Sequence, residues 1–226
     1  MKRNIFLRLA SVILFLCGCT PAIASAPADI FNPTTDTGEQ NQAVETIAAE
    51  QVLSYSIVDT LQGKCYDNNI EIPCKTSEES FWGQDAQYTG NQPRYQDNGD
   101  GTITDMVTGL MWQKDPGQKM TYNQAVAGVS SFILASYSDW RLPSIKELYS
   151  LILFDGTDVS DCNGTCAVTP FIDTEYFQFS YGDTDAGERI IDSQFVSSTK
   201  YGSTTMDGNE TVFGVNFADG RIKGYG

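Results

Sequence analysis

Six cysteines, 29 carboxylates and no histidine set the chemistry open to this chain of 226 residues. Without histidine there is no Ser-His-Asp or Cys-His nucleophile, no imidazole ligand for zinc and no imidazole base. Carboxylate or lysine chemistry stays open. Paired Asp and Glu residues can hydrolyse glycosides, yet no spacing here singles out a pair, and a solvated acidic surface accounts for them. Cys17 and Cys19 lie near the N-terminus, whereas Cys65, Cys74, Cys162 and Cys166 form two close pairs. In an exported chain such pairs read as a disulfide framework. Three pairings are open, of which the simplest joins Cys65 to Cys74 and Cys162 to Cys166. A zinc site built from all four is the competing reading, although neither spacing is the C-x-x-C of a zinc knuckle.

The densest carboxylate stretch is Asp97-Asn98-Gly99-Asp100-Gly101-Thr102-Ile103-Thr104-Asp105. Asn-Gly and Asp-Gly are turn dipeptides that tolerate positive φ, and Thr102-Ile103-Thr104 alternates as a strand does. Calcium is the alternative, with Asp97, Asp100 and Asp105 as ligands. An EF-hand loop needs oxygens at positions one, three and five, glycine at six and glutamate at twelve. Counting from Asp97 puts Gly99 and Gly101 at ligand positions. Placing Gly101 at six puts Gln96 at one and Val107 at twelve. Neither register fits, so a structural turn is favoured and no cofactor is expected.

Formal net charge is −15, which repels phosphate backbones and argues against nucleic-acid partners. Lys2, Arg3 and Arg8 precede the apolar run Leu9–Leu16, the pattern of a signal peptide over residues 1–18. That run is too short for a stable membrane span. Leu16-Cys17-Gly18-Cys19 resembles the lipobox of bacterial lipoproteins, in which cleavage precedes the last cysteine and its thiol is lipidated. Here that residue is Cys19. Ordinary cleavage after Ala24 or Ala26 is the alternative. Cleavage before Cys19 leaves 11 basic against 29 acidic residues, a net charge of −18. Thr20 after Cys19 resembles outer-membrane sorting. Residues 19–53 are rich in Pro, Ala, Thr and Gln and read as a flexible tether, with at most a weak helix over Ala43–Val52.

The elements that would position these groups follow. Residues 54–92 read as an extension pinned by a disulfide, in which Asp67-Asn68-Asn69 turns a hairpin between Cys65 and Cys74. Phe81, Trp82 and Tyr88 follow among polar residues, either as an irregular coat or as a platform for stacking a ligand. Thr121 and Gln124 form a capping box that starts a helix reaching about Ser136, with Ala125, Val126, Val129, Phe132 and Ile133 on one face. Trp140-Arg141-Leu142-Pro143-Ser144-Ile145-Lys146-Glu147-Leu148 organises the rest. Trp140 and Leu142 end a strand. Pro143 forces a turn, and Ser144 with Glu147 caps a second helix running to about Leu153. A loop with the Cys162–Cys166 pair follows, then an aromatic stretch over Thr169–Tyr181. Strands are expected over Phe195–Thr199 and Thr211–Phe217. A tight turn at Ala218–Arg221 then leads into a returning strand.

Three stretches together carry a family likeness: Asp97–Asp105, Thr108-Gly109-Leu110-Met111-Trp112-Gln113, and Ser138-Asp139-Trp140-Arg141-Leu142-Pro143-Ser144-Ile145-Lys146-Glu147-Leu148. Ser197-Ser198-Thr199 and Val215-Asn216-Phe217-Ala218-Asp219-Gly220-Arg221 follow in their expected places. From about Pro93 to the end, the chain resembles the Lcl C-terminal domain family, named for the Legionella collagen-like adhesin. The resemblance implies an α+β domain related to the C-type lectin-like fold and to the formylglycine-generating sulfatase activators. Two helices would flank small, twisted antiparallel sheets with long loops. The family usually closes with a further strand that this chain lacks, so the domain over residues 93–226 is expected to be C-terminally truncated, with an open sheet edge.

The function implied is an exported, non-catalytic binding or adhesion module. It would be held on the bacterial envelope by lipid on Cys19, or be periplasmic or secreted. Its partner would be a glycan or a protein; no oligomeric state follows. The Glu-Pro-Asn and Gln-Pro-Asp signatures of sugar-binding C-type lectins are absent, and basic residues are too sparse for sulfated glycans. An enzyme related to the sulfatase activators is the alternative, with Cys162 and Cys166 as a reactive pair and copper as its metal. A purely structural envelope lipoprotein is the third reading.

Overall fold

In the computed structural model, residues 2–4, 8–9, 56–162 and 166–226 are described. Cys19, the tether and the weak helix over Ala43–Val52 lie outside them. The described residues belong to one unit of the chain, Met1–Ser11 with Tyr55–Gly226.

The strands in chain order are β1 (Lys2–Asn4), β2 (Arg8–Leu9), β3 (Cys65–Tyr66), β4 (Glu71–Ile72), β5 (Tyr95–Asp97), β6 (Thr102–Asp105) and β7 (Leu110–Gln113). Helix α1 (Tyr122–Val129), β8 (Trp140–Arg141) and α2 (Ile145–Tyr149) come next. The long β9 (Gln194–Thr204), β10 (Glu210–Asn216) and β11 (Arg221–Tyr225) complete the chain. One sheet has the order β5-β6-β7-β1-β8, a second β11-β10-β9-β2, and β3 pairs with β4 alone. The class is α+β, as expected. The sheets are not purely antiparallel, because β1 lies between β7 and β8 and runs parallel to both.

Strand alternation builds two cores on opposite faces of β7. Leu110 and Trp112 point into one, with Leu148, Phe195, Val215 and Phe217. Met111 points into the other, with Ala125, Trp140, Leu142, Val196 and Val212. Successive side chains of a strand face opposite ways, so the five-stranded sheet is a wall between two apolar layers. That explains why all four residues of β7 are buried.

The capping boxes sit where expected. Thr121 accepts from the Gln124 N–H and Ser144 from the Glu147 N–H, and each partner's side chain bonds back to its cap. Both helices are shorter than their periodicity predicts. After Val129 the chain tightens, with Ser131 N–H donating to Gly128 C=O and Phe132 N–H to Val129 C=O. Ala135 and Ser136 then take positive φ in a tight turn. Residues beyond Val129 therefore leave the helical phase, and Ile133 is 67% exposed. Val126, expected on the inward face, is exposed as well; Ala125 is the helix's one buried residue. In α2 the bonds likewise shorten after Tyr149, yet Leu151 and Ile152 remain buried.

The returning strand β11 pairs with β10 along its whole length. Glycine is required where β10 meets β9, beside a register irregularity. A Cβ on Gly214 would sit 2.4 Å from the Phe195 carbonyl oxygen. Backbone cannot yield as a flexible side chain can, so Gly214→Ala is expected to cost about 1–3 kcal/mol through overpacking. A urea melt checks this; an unchanged midpoint would contradict the close approach.

Candidate functional site

The Trp140–Leu148 stretch is a corner held from three sides. The Trp140 indole N–H donates to Leu134 C=O at 3.3 Å, and its ring meets Phe132 edge-on. Pro143 C=O accepts from Ser198 N–H at 2.7 Å, and Ile145 N–H donates to the Thr199 hydroxyl at 2.9 Å. Ser197 in turn donates to Phe213 C=O at 2.7 Å. The Ser197-Ser198-Thr199 run is thus a polar strap tying the corner to β9 and β10.

Arg141 alternates with Trp140 and Leu142, but its guanidinium is not a free surface charge. It makes a two-pronged pair with Glu147 at 2.8 and 2.6 Å. The same carboxylate accepts from Ser144 N–H at 2.8 Å. Burial alone would raise the Glu147 carboxyl. Hydrogen bonds from Arg141 and Ser144 overcome it and hold the group at about 2. A folded-state value below the unfolded one contributes stability that is present above pH ~4.5 and lost as pH falls toward 2. The expected result is a melting temperature that drops across that window by more in the parent than in Glu147→Gln, where the titrating group is absent. Parallel pH curves for the two proteins would contradict it.

The calcium candidates are occupied by their own turns. Asp97 accepts from Gly99 N–H at 2.9 Å and from the Lys114 ammonium at 2.5 Å. Asp100 accepts from the backbone N–H and hydroxyl of Thr102. Asp105 accepts from Val107 N–H, Thr108 N–H and the Thr108 hydroxyl. Among the described residues no three Cys, Asp or Glu side chains converge as metal ligands.

Cys65 bonds to Cys74 and Cys162 to Cys166, the local pairing. Both sulfurs of the second pair are used, as a staple rather than as two free thiols. The turn between β10 and β11 supplies a buried anion that sequence patterning did not single out. Asp219 has a fully buried side chain and pairs with Lys223 and with Arg221, which also reaches Asp158 at 2.6 Å. These bonds fix the Asp158–Ser160 loop against β11.

The extension before the domain carries the most exposed aromatic surface. Phe81, Trp82 and Tyr88 are 42%, 51% and 59% exposed. Half-exposed rings of this kind fit both the irregular coat and the ligand-stacking platform. Their loop is nevertheless well held. The Gln84 amide donates to Tyr66 C=O and Phe81 C=O and accepts from Tyr66 N–H, tying the loop to the disulfide-pinned β3–β4 hairpin. Phe81 itself takes φ 69°, a left-handed conformation that a bulky residue adopts only when its surroundings enforce it. Elsewhere, an open depression of about 310 Å³ lies along the β9–β10 hairpin between Lys200, Tyr201 and Glu210.

Two capped helices, a strand-to-helix corner strapped by a Ser-Ser-Thr run and a tight Asp-Gly turn between the last strands define a disulfide-stapled α+β domain. The chain belongs to the Lcl C-terminal domain family, whose model matches residues 101–226. That family suggests a surface-associated domain. No curated protein and no solved structure matches the chain.

Proposed function

We propose that this protein is an exported, non-catalytic binding module of the bacterial cell envelope. In this reading residues 1–18 are removed as a leader, lipid on Cys19 anchors the chain, and residues 19–53 tether the domain. The outer membrane is favoured because Thr20 follows the anchor. The observation that carries the reading is the exposure of Phe81, Trp82 and Tyr88 in an extension held by a disulfide-pinned hairpin and by Gln84. Rigid aromatic faces bind sugars or apolar protein groups at low entropic cost. Family membership supports surface display. The acidic balance points to neutral or weakly charged ligands over sulfated ones. A C-type lectin-like ancestry fits this role, but the turn-bound Asp97, Asp100 and Asp105 favour calcium-independent contact.

A glycan and polysaccharide array with the full processed protein, with calcium and with chelator, tests the reading. Saturable binding that persists in chelator and falls tenfold or more in Trp82→Ala, at unchanged melting temperature, is the expected result. No binding by folded protein would sink the glycan ligand. For the anchor, fatty-acid labelling is expected in the parent and lost in Cys19→Ser.

A further inference from the structure

Strand β9 carries two extra stretches relative to β10. Between Val196 and Lys200 it has three residues where β10 has only Phe213, and between Lys200 and Thr204 it again has three where β10 has only Thr211. Such bulges bend a strand, release its groups from the ladder and recur beside functional sites. The first bulge is used from within the fold. Ser197 donates to Phe213 C=O and Ser198 to Pro143 C=O, and the Thr199 hydroxyl accepts from Ile145 N–H. The second, Tyr201-Gly202-Ser203, has the same form but a different fate. Its residues are exposed, and among the described residues no other element takes up the hydroxyls of Tyr201 and Ser203.

At this second bulge lies the depression of about 310 Å³, lined by Lys200, Tyr201, Gly202, Ser203, Thr204 and Glu210. That is the small end of the ligand-cleft range of about 300–1,000 Å³, and suits one small ring. The frame around it is held. Thr205 N–H donates to Asn209 C=O at 2.9 Å, Gly208 N–H donates to Thr205 C=O at 3.1 Å, and the hydroxyls of Thr205 and Thr211 bond each other. The Tyr201 ring is 52% exposed, and an edge-on contact with Phe213 at 6.3 Å between centroids sets its orientation. A Cβ on Gly202 would meet nothing within 4 Å, so the middle of the bulge is open. The Lys200 ammonium donates to Glu210 Oε2 at 2.7 Å. This bond leaves Glu210 Oε1 and two ammonium protons for a ligand.

The lining sums to zero formal charge, one cation against one anion, among hydroxyls and a ring. A ligand with net charge of either sign would meet a like charge beside its counter-ion. A neutral polyol engages both members of the pair without separating them. Its hydroxyls donate to the carboxylate and accept from the ammonium, and its apolar C–H face lies on the Tyr201 ring. We propose that the second bulge of β9 is a binding site for a single neutral sugar ring. The inference rests on the binding role proposed above, but the site shares no residue with Phe81, Trp82 and Tyr88.

The test follows backbone amide shifts of the full processed protein, isotope-labelled and held in detergent. It is titrated with methyl glycosides of glucose, galactose, mannose and N-acetylglucosamine. Glucuronate and glucosamine serve as the anionic and cationic counterparts. The expected result is saturable shifts over residues 200–204 and 210 with at least one neutral glycoside, at an affinity about tenfold above that of either charged sugar. Gly202 takes no positive φ, so Gly202→Leu fills the depression without straining the fold. Gly202→Leu and Tyr201→Ala should each weaken binding about tenfold or more at unchanged melting temperature. Trp82→Ala should leave these shifts as they are. Shifts confined to the extension around Trp82 would overturn the bulge site and leave the proposed binding role standing. An equal response to the charged sugars, or full affinity in Gly202→Leu, would overturn it too. No shift anywhere in folded protein would overturn the site, and a silent polysaccharide array alongside would overturn the glycan ligand as well.

Discussion

Trp112→Ala is expected to lower unfolding stability by about 3–5 kcal/mol, the range for truncating a large buried aromatic side chain. Trp112 is fully buried at the centre of β7 and faces the larger core. In the sheet it stands opposite Ile103 of β6 and Asn4 of β1. Truncation opens a cavity walled by strands on both sides and by α2, which cannot collapse around it. A sharper expectation concerns Trp112→Phe. The indole nitrogen is buried without a partner among the described residues, so losing it removes a polar group that desolvation already penalises. The phenylalanine variant should therefore fall short by only about 1–2 kcal/mol, the cavity part alone. Urea unfolding of the three proteins decides it. Equal losses in the two variants would mean that the indole N–H matters as a donor.

The second large effect is at the corner. Glu147→Ala removes the carboxylate that pairs twice with Arg141 and caps Ser144 N–H. It leaves a guanidinium pressed against the chain without its counter-ion. Breaking a buried pair costs about 3–5 kcal/mol, and losing a cap adds about 1. Arg141 is 39% exposed, whereas Glu147 is only 14%, so water takes back part of the loss. About 2–4 kcal/mol is expected. Arg141→Ala should cost less, because Ser144 N–H keeps its acceptor. A double-mutant cycle is expected to give a coupling of about 1–3 kcal/mol; a coupling near zero would show that the two side chains act independently.

Local chemistry made much of this fold readable in advance. Ser144 with Glu147 and Thr121 with Gln124 are reciprocal bonds between residues three apart, so sequence spacing is the geometry. The two disulfides close loops short enough that the nearest partner is the right one. The turn residues Thr108 and Gly109 ahead of the apolar run Leu110-Met111-Trp112 read as a turn and a strand, and a continuous apolar run is what a strand buried on both faces needs. The rest depends on residues that meet only after folding. Arg141 was legible as the polar member of an alternating run, while its partner six residues on became visible only when Pro143 turned the chain. The helix lengths were over-read because apolar spacing continues through Phe132 and Ile133, where Gly128 and the tight turn after Leu134 have already broken the phase. Asp219 looked like a turn residue, which it is; its burial beneath Lys223 and Arg221 follows from β11 folding back. The aromatic extension was the nearest to a functional signal, since three large rings among polar residues are hard to place in a core.

The parallel position of β1 also bears on the order in which the chain acquires structure. Arg3 and Asp139 are 136 residues apart in sequence, and β8 is among the partners of β1. A hairpin can close within microseconds, but a contact this remote carries a large loop-closure penalty and forms late. During synthesis the first four residues leave the ribosome long before Trp140 exists to receive them. For that whole interval β1 lacks its partner on the β8 side and can pair with β7 alone. Completion of the five-stranded sheet is therefore a late event, set by the slowest contact between the two ends of the described fold rather than by any local turn.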